Sequence, residues 1–198
     1  MHCPINGTQQ CRCGKNAIPM VVPNSDFRIT LRKLFTDHVV YTKMYIDLYL
    51  GEGIKEEYSS TANRLMENQK EIGDGIKPFG NGAELTRLLK LHIEGAVEAL
   101  EDIKNDNARK LVNVTKPKIF QNSNQVADFL TSLNPSFLNR QVMREEFKKH
   151  NEFVLELGVL KSERNGKQMI KTTDAYFNHM MMFSDTLYYA LQDLQNGK

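Results

Sequence analysis

LTRLLKLHIEGAVEALEDI (85–103) decides the fold. Leu85, Leu88, Leu89, His92, Ala96, Ala99 and Ile103 recur at the i, i+3, i+4, i+7 spacing of one face of an α-helix. The same spacing returns three more times. It runs through Leu31, Leu34, Phe35, His38, Thr42, Tyr45, Ile46 and Tyr49, then through Met143, Phe147, His150, Val154 and Leu157. The last series is Thr172, Tyr176, His179, Phe183, Thr186 and Ala190. No stretch alternates with the period of two that a strand requires. The expected fold is all-α, an up-and-down bundle of four to five long helices plus a short one.

Punctuation places the elements. Asn24, Ser25 and Asp26 offer caps for a first helix to about residue 50, which Gly51-Glu-Gly53 ends. A second spans 56–77, stopped by Pro78, Gly80 and Gly82, and a third spans 83–105. Residues 106–123 read as a connection with Thr115-Lys-Pro117 extended, followed by a short helix over 125–133 that ends at Asn134-Pro135. Helices over 139–161 and 167–195 flank the turn Arg164-Asn-Gly166. Residues 1–24 form a separate cysteine-containing tail, and 25–198 a single helical domain.

Each of the four series carries one histidine on its apolar stripe. A buried imidazole needs partners for both ring nitrogens, and several that converge make a donor set for a transition metal. Counted from the expected helix starts, His38, His150 and His179 lie about 12 residues in and His92 about 8. At 1.5 Å per residue that is roughly 18 Å against 12 Å, so the rings can share a layer near mid-bundle. The competing reading is four ordinary core histidines, each bonded to a carbonyl or carboxylate. Glu71, beside the inward face of the second helix, is a candidate oxygen ligand. Asp37 and Asp185 lie at the side of their stripes, where a carboxylate can orient an imidazole on a neighbouring helix. Glu146 stands four residues before His150, and the run His179-Met180-Met181-Met182 supplies thioether sulfur, with Met182 nearest the His179 face. Zinc is the first expectation, with iron and copper as alternatives; a haem would need room that this Leu-, Phe- and Met-rich core does not offer. The tail holds His2, Cys3, Cys11 and Cys13, which suit a zinc site, a disulfide or neither.

Composition narrows the partners. The chain has 198 residues with 26 Lys and Arg against 24 Asp and Glu, a balance that argues against nucleic-acid binding by bulk charge. Nothing approaches the ~18 consecutive apolar residues of a membrane span. The first residues, MHCPINGTQQCRCGK, lack an apolar leader core, so the expected location is the cytoplasm. A homo-oligomer is allowed.

LRKLFTDHVVYTKMYI (31–46), ENQKEIGDGI (67–76), LTRLLKLHI (85–93), VADFLTSLNP (126–135), KKHNEF (148–153) and FNHMMMFSDTL (177–187) carry a family resemblance. They resemble a set of small helical proteins of bacteria, with relatives in large DNA viruses, many labelled acetylglutamate kinase. The resemblance covers about residues 26–195. It implies histidine at the positions of His38, His92, His150 and His179, and family positions at Asp37, Asn68, Gln69, Gly73 and Asp185. Asn68 joins Asp37 and Asp185 as an expected support of the ligands, and packaging in a virion becomes a second expected location. The chain departs in having no tryptophan, with Phe35 and Tyr41 where bacterial members have Trp, and in Asn178 where they tend to have Asp. Kinase activity finds no footing here: no glycine-rich loop follows a strand and opens a helix.

Three readings of function follow. The first is a metal-binding bundle for binding, storage or structure, including a part of a viral particle. The second is a metal-dependent hydrolase or oxygen-using enzyme. The third is a structural or interaction protein whose histidines are core residues.

Overall fold

The computed structural model describes residues 25–196, and these form helices throughout, with no strand among them. The helices are α1 (Ser25–Tyr49), α2 (Lys55–Ile76), α3 (Gly82–Lys104), α4 (Ala108–Lys110), α5 (Lys116–Leu133), α6 (Arg140–Ser162) and α7 (Gly166–Asn196). One π-turn, Leu111–Thr115, joins α4 to α5. Local chemistry sets several boundaries. The Asn81 and Asn139 side-chain oxygens accept the backbone N–H of Glu84 and Val142, each at 3.1 Å, and so cap α3 and α6. Asp106 and Arg164 take left-handed conformations (φ 53° and 56°) where the chain leaves α3 and α6.

The long helices close a ring. α1 packs on α2, α2 on α3, α3 on α5, α5 on α6, α6 on α7, and α7 back on α1; α6 also touches α1 and α3 across the interior. Three hairpins therefore stand side by side: α1–α2, α3–α5 and α6–α7. The first two repeat each other bond for bond. Asn68 on α2 donates to the Leu34 carbonyl, four residues before His38, and Asn122 on α5 donates to the Leu88 carbonyl, four residues before His92. Gln69 then meets His38 Nδ1 and Ser123 meets His92 Nδ1. All four pairs of positions differ by 54 (34/88, 38/92, 68/122, 69/123). The hairpin is thus a repeated device that brings one histidine of its first helix inward and braces it from the second.

Residues 106–123 are not an extended connection. They run from α4 through the π-turn into α5, with Pro117 in its first turn. Helical backbone at Lys110, Thr115 and Lys116 carries the chain into α5, and the π-turn falls immediately before Pro117, the residue that has no N–H to give to the preceding turn. Buried Asp102 on α3 fixes this segment: it accepts from Thr115 Oγ1 at 2.5 Å and from Lys110 Nζ at 2.8 Å. The bundle consequently has six long helices, one more than the periodicity suggests. No helix among the described residues is long and apolar enough to cross a membrane.

Candidate functional site

α1, α3, α6 and α7 each contribute one buried histidine to the interior: His38, His92, His150 and His179. All four border one internal cavity of about 30 Å³, together with Gln69, Glu146 and Met180, and its remaining lining is aliphatic and phenylalanine side chains. His150 is central. Its ring centre lies 5.3 Å from those of both His38 and His92, at tilts of 34° and 37°. His38, His92 and His150 also border a second cavity of about 20 Å³ that reaches Thr42. His179 packs against Phe153, with ring centres 5.5 Å apart.

The Nδ1 nitrogens of the four rings have assignable partners. The Gln69 amide donates to the Leu65 carbonyl (2.8 Å) and to Asn68 Oδ1 (3.2 Å), and stands 3.3 Å from His38 Nδ1. Ser123 Oγ accepts from Asn151 Nδ2 at 2.6 Å, which leaves its own proton for His92 Nδ1 at 3.4 Å. His150 Nδ1 meets the Met180 sulfur at 3.2 Å. His179 Nδ1 meets Glu146 Oε2 at 3.2 Å, a carboxylate–imidazole pair that places the proton on Nδ1 and the lone pair on Nε2. That Nε2 is buried and has no partner. Gln69 Oε1, Asn122 Oδ1, Thr42 Oγ1 and Tyr176 Oη are likewise buried and unpaired. An unpaired buried polar atom costs about 1–3 kcal/mol; of these, His179 Nε2 and Gln69 Oε1 belong to residues that border the first cavity, and Thr42 borders the second.

Burial dominates the electrostatics. Desolvation, reinforced by the neighbouring His92, pushes His38 down to about 3, against the opposing effect of a hydrogen bond that the ring donates to the Asn68 side chain. Desolvation pushes His92 down to about 4, with Asn122 opposing. His150 falls well below the ordinary imidazole range, first by burial and then through His92, His38 and His179. His179 is lowered by burial, which outweighs the raising effect of Glu146. The rings are therefore neutral at pH 7, the form that binds metals. Their Nδ1 atoms meet Gln69, Ser123, Met180 and Glu146. Among the described residues, no three His, Cys, Asp or Glu side chains are already set to hold a metal ion.

The expected supporting acids stand elsewhere. Glu71 is half exposed and pairs with Arg64 at 3.1 Å. Asp37 pairs with Lys33 at 2.6 Å and with Arg64 at 3.2 Å. Asp185 is gripped by Arg28 (2.9 and 2.7 Å) and Arg32 (2.8 and 2.5 Å), which hold its carboxyl well below the usual range. Each of the three follows or precedes an inward residue by one position, and one position turns a helix by about 100°, which carries the carboxylate to the surface. Asn68, by contrast, is buried at His38, where it anchors Leu34 and steadies Gln69. Met182 is 72 % exposed, whereas Met180 is 4 % exposed and touches His150. The buried arc of α7 runs through Tyr176, His179, Met180, Phe183, Ser184 and Leu187, so Met180 and not Met182 faces inward. Glu146 takes the role expected of Asp37 and Asp185. The tail residues His2, Cys3, Cys11 and Cys13 lie outside the described residues.

No family model, curated protein or solved structure matches the chain.

Proposed function

We propose that this protein binds one first-row transition metal ion inside the bundle, through imidazoles drawn from His38, His92, His150 and His179. The observation that carries the reading is His179. Glu146 orients it, its Nε2 lone pair is buried without a partner, and it borders the same small cavity as three other neutral imidazoles. A carboxylate on the far nitrogen is the usual support of a metal-bound histidine. Spacing supports it too. Two imidazoles on one tetrahedral ion, with metal–nitrogen bonds of about 2.0 Å, hold their ring centres roughly 5 Å apart; His150 has two neighbours at 5.3 Å.

Loading asks for local rearrangement rather than refolding. Ser123 can turn its hydroxyl to accept from His92 Nδ1–H, and unpaired Asn122 Oδ1 is a neighbouring acceptor. Gln69 has an unpaired oxygen of its own with which to answer His38. Zinc, copper and iron all accept imidazole. The small volume and mainly apolar lining of the cavity favour holding an ion over turning over a substrate.

Metal-free protein, prepared without a polyhistidine tag and with Cys3, Cys11 and Cys13 changed to Ser, is dialysed against each ion in turn. Its metal content is then compared with that of His150→Gln. The reading expects one ion per chain in the first and a large loss in the second. No retained ion of any kind overturns it.

A further inference from the structure

We infer that the ion this cavity prefers is cuprous copper, with the Met180 thioether as a ligand beside the histidine rings. The inference rests on the metal-binding reading above and adds the ion's identity.

The hairpin repeat isolates Met180. In the first two hairpins the side chain that meets the histidine Nδ1 lies 31 residues further on (38 to 69, 92 to 123), and it is a hydrogen-bonding residue, Gln69 or Ser123. In the third hairpin the corresponding contact comes 30 residues on (150 to 180) and is a methionine, its sulfur 3.2 Å from Nδ1. A thioether is a weak hydrogen-bond acceptor but a good soft donor. Met180 also borders the cavity that the four histidines share. Imidazole nitrogen with a thioether is a donor set that selects copper(I) over harder divalent ions.

Charge points the same way. Of the residues lining the cavity, Glu146 alone carries a carboxylate, and it stands half exposed at His179. The ionic cost of entering an apolar medium grows with the square of the charge, so a divalent ion costs about four times as much as a monovalent one. One carboxylate neutralises Cu(I) completely and leaves Zn(II) with a net positive charge among Phe35, Leu89, Phe147 and Phe183.

The test uses the full chain with the three tail cysteines changed to Ser, under reducing, oxygen-free conditions. Cu(I) is titrated against a competing chromophoric Cu(I) chelator and Zn(II) against a zinc chelator, with and without Met180→Leu. We expect Cu(I) to bind more tightly than Zn(II). Met180→Leu should weaken Cu(I) by about tenfold or more, the scale on which loss of a supporting group acts at metal sites, and leave Zn(II) unchanged. X-ray absorption of the parent protein should show a sulfur shell at about 2.3 Å, a metal–sulfur distance. This readout needs no variant to fold. Zinc bound in the cavity more tightly than Cu(I), or a copper site without sulfur, overturns this inference and leaves the metal reading intact. Failure of both ions to bind overturns both.

Discussion

Acidification of the metal-free protein should destabilise it steeply between pH 7 and pH 5. His38 and His92 have folded-state values near 3 and 4, and His150 is well below the ordinary range, all through burial. In the unfolded chain each returns to about 6.5. Because the folded values are depressed, the unfolded state binds more protons below pH 6.5. The stability is fully present above that pH and drains away as pH falls toward the folded values. At pH 5, about 1.5 units below the unfolded value, His38 and His92 each contribute a loss of about 2 kcal/mol at 1.36 kcal/mol per unit. The two give about 4 kcal/mol, and His150, shifted in the same direction, adds to a loss that approaches the whole stability of a small domain at about 5–15 kcal/mol. Carboxylates such as Asp185 titrate lower, so the window isolates the histidines. Urea unfolding followed by circular dichroism at pH 7.5, 6.0 and 5.0 measures the slope, and His92→Asn should remove about one proton from it. Equal stability at pH 7.5 and pH 5.0 would mean that the rings are not buried and neutral, and the reasoning from the cavity would fail.

Other expectations are more local. Glu146→Gln should weaken metal binding about 10–100-fold, because the carboxylate orients His179 without occupying the site; metal titration of the cysteine-free chain checks this. Glu71→Gln and Asp37→Asn should leave that affinity unchanged, since both carboxylates serve Arg64 at the surface. Gly73→Ala should cost about 1–3 kcal/mol in urea unfolding. Its Cβ would run into Thr86 Oγ1 and come within 2.5 Å of the Gly82 carbonyl oxygen, where α2 meets the start of α3.

The helical periodicity around His38, His92, His150 and His179 made the fold class and the inward direction of these rings legible from sequence. The first half of α5, the returning helix of the second hairpin, was not. Pro117 and the polar residues around it look like a break, and only the tertiary bonds of Asp102 to Thr115 and Lys110 show how a π-turn carries the helix past them. The acids were misplaced because adjacency on a stripe is not alignment with it: Glu71 neighbours Ile72 in sequence yet points to solvent. Glu146 was visible as the residue four before His150, but its partner proved to be His179 on another helix, a relation that requires the α6–α7 packing. The 54-residue offset between the first two hairpins is readable in retrospect through Leu34 and Leu88, Asn68 and Asn122. Its two copies share too few identical residues to announce themselves without the hydrogen bonds.

The most direct test is anomalous diffraction from crystals of metal-loaded, cysteine-free protein, recorded at the absorption edge of the bound metal. A single peak inside the cavity bordered by His38, His92, His150 and His179 is the predicted result. A peak confined to the surface, or a cavity without one in protein that carries stoichiometric metal, would contradict a metal centre at the heart of the bundle.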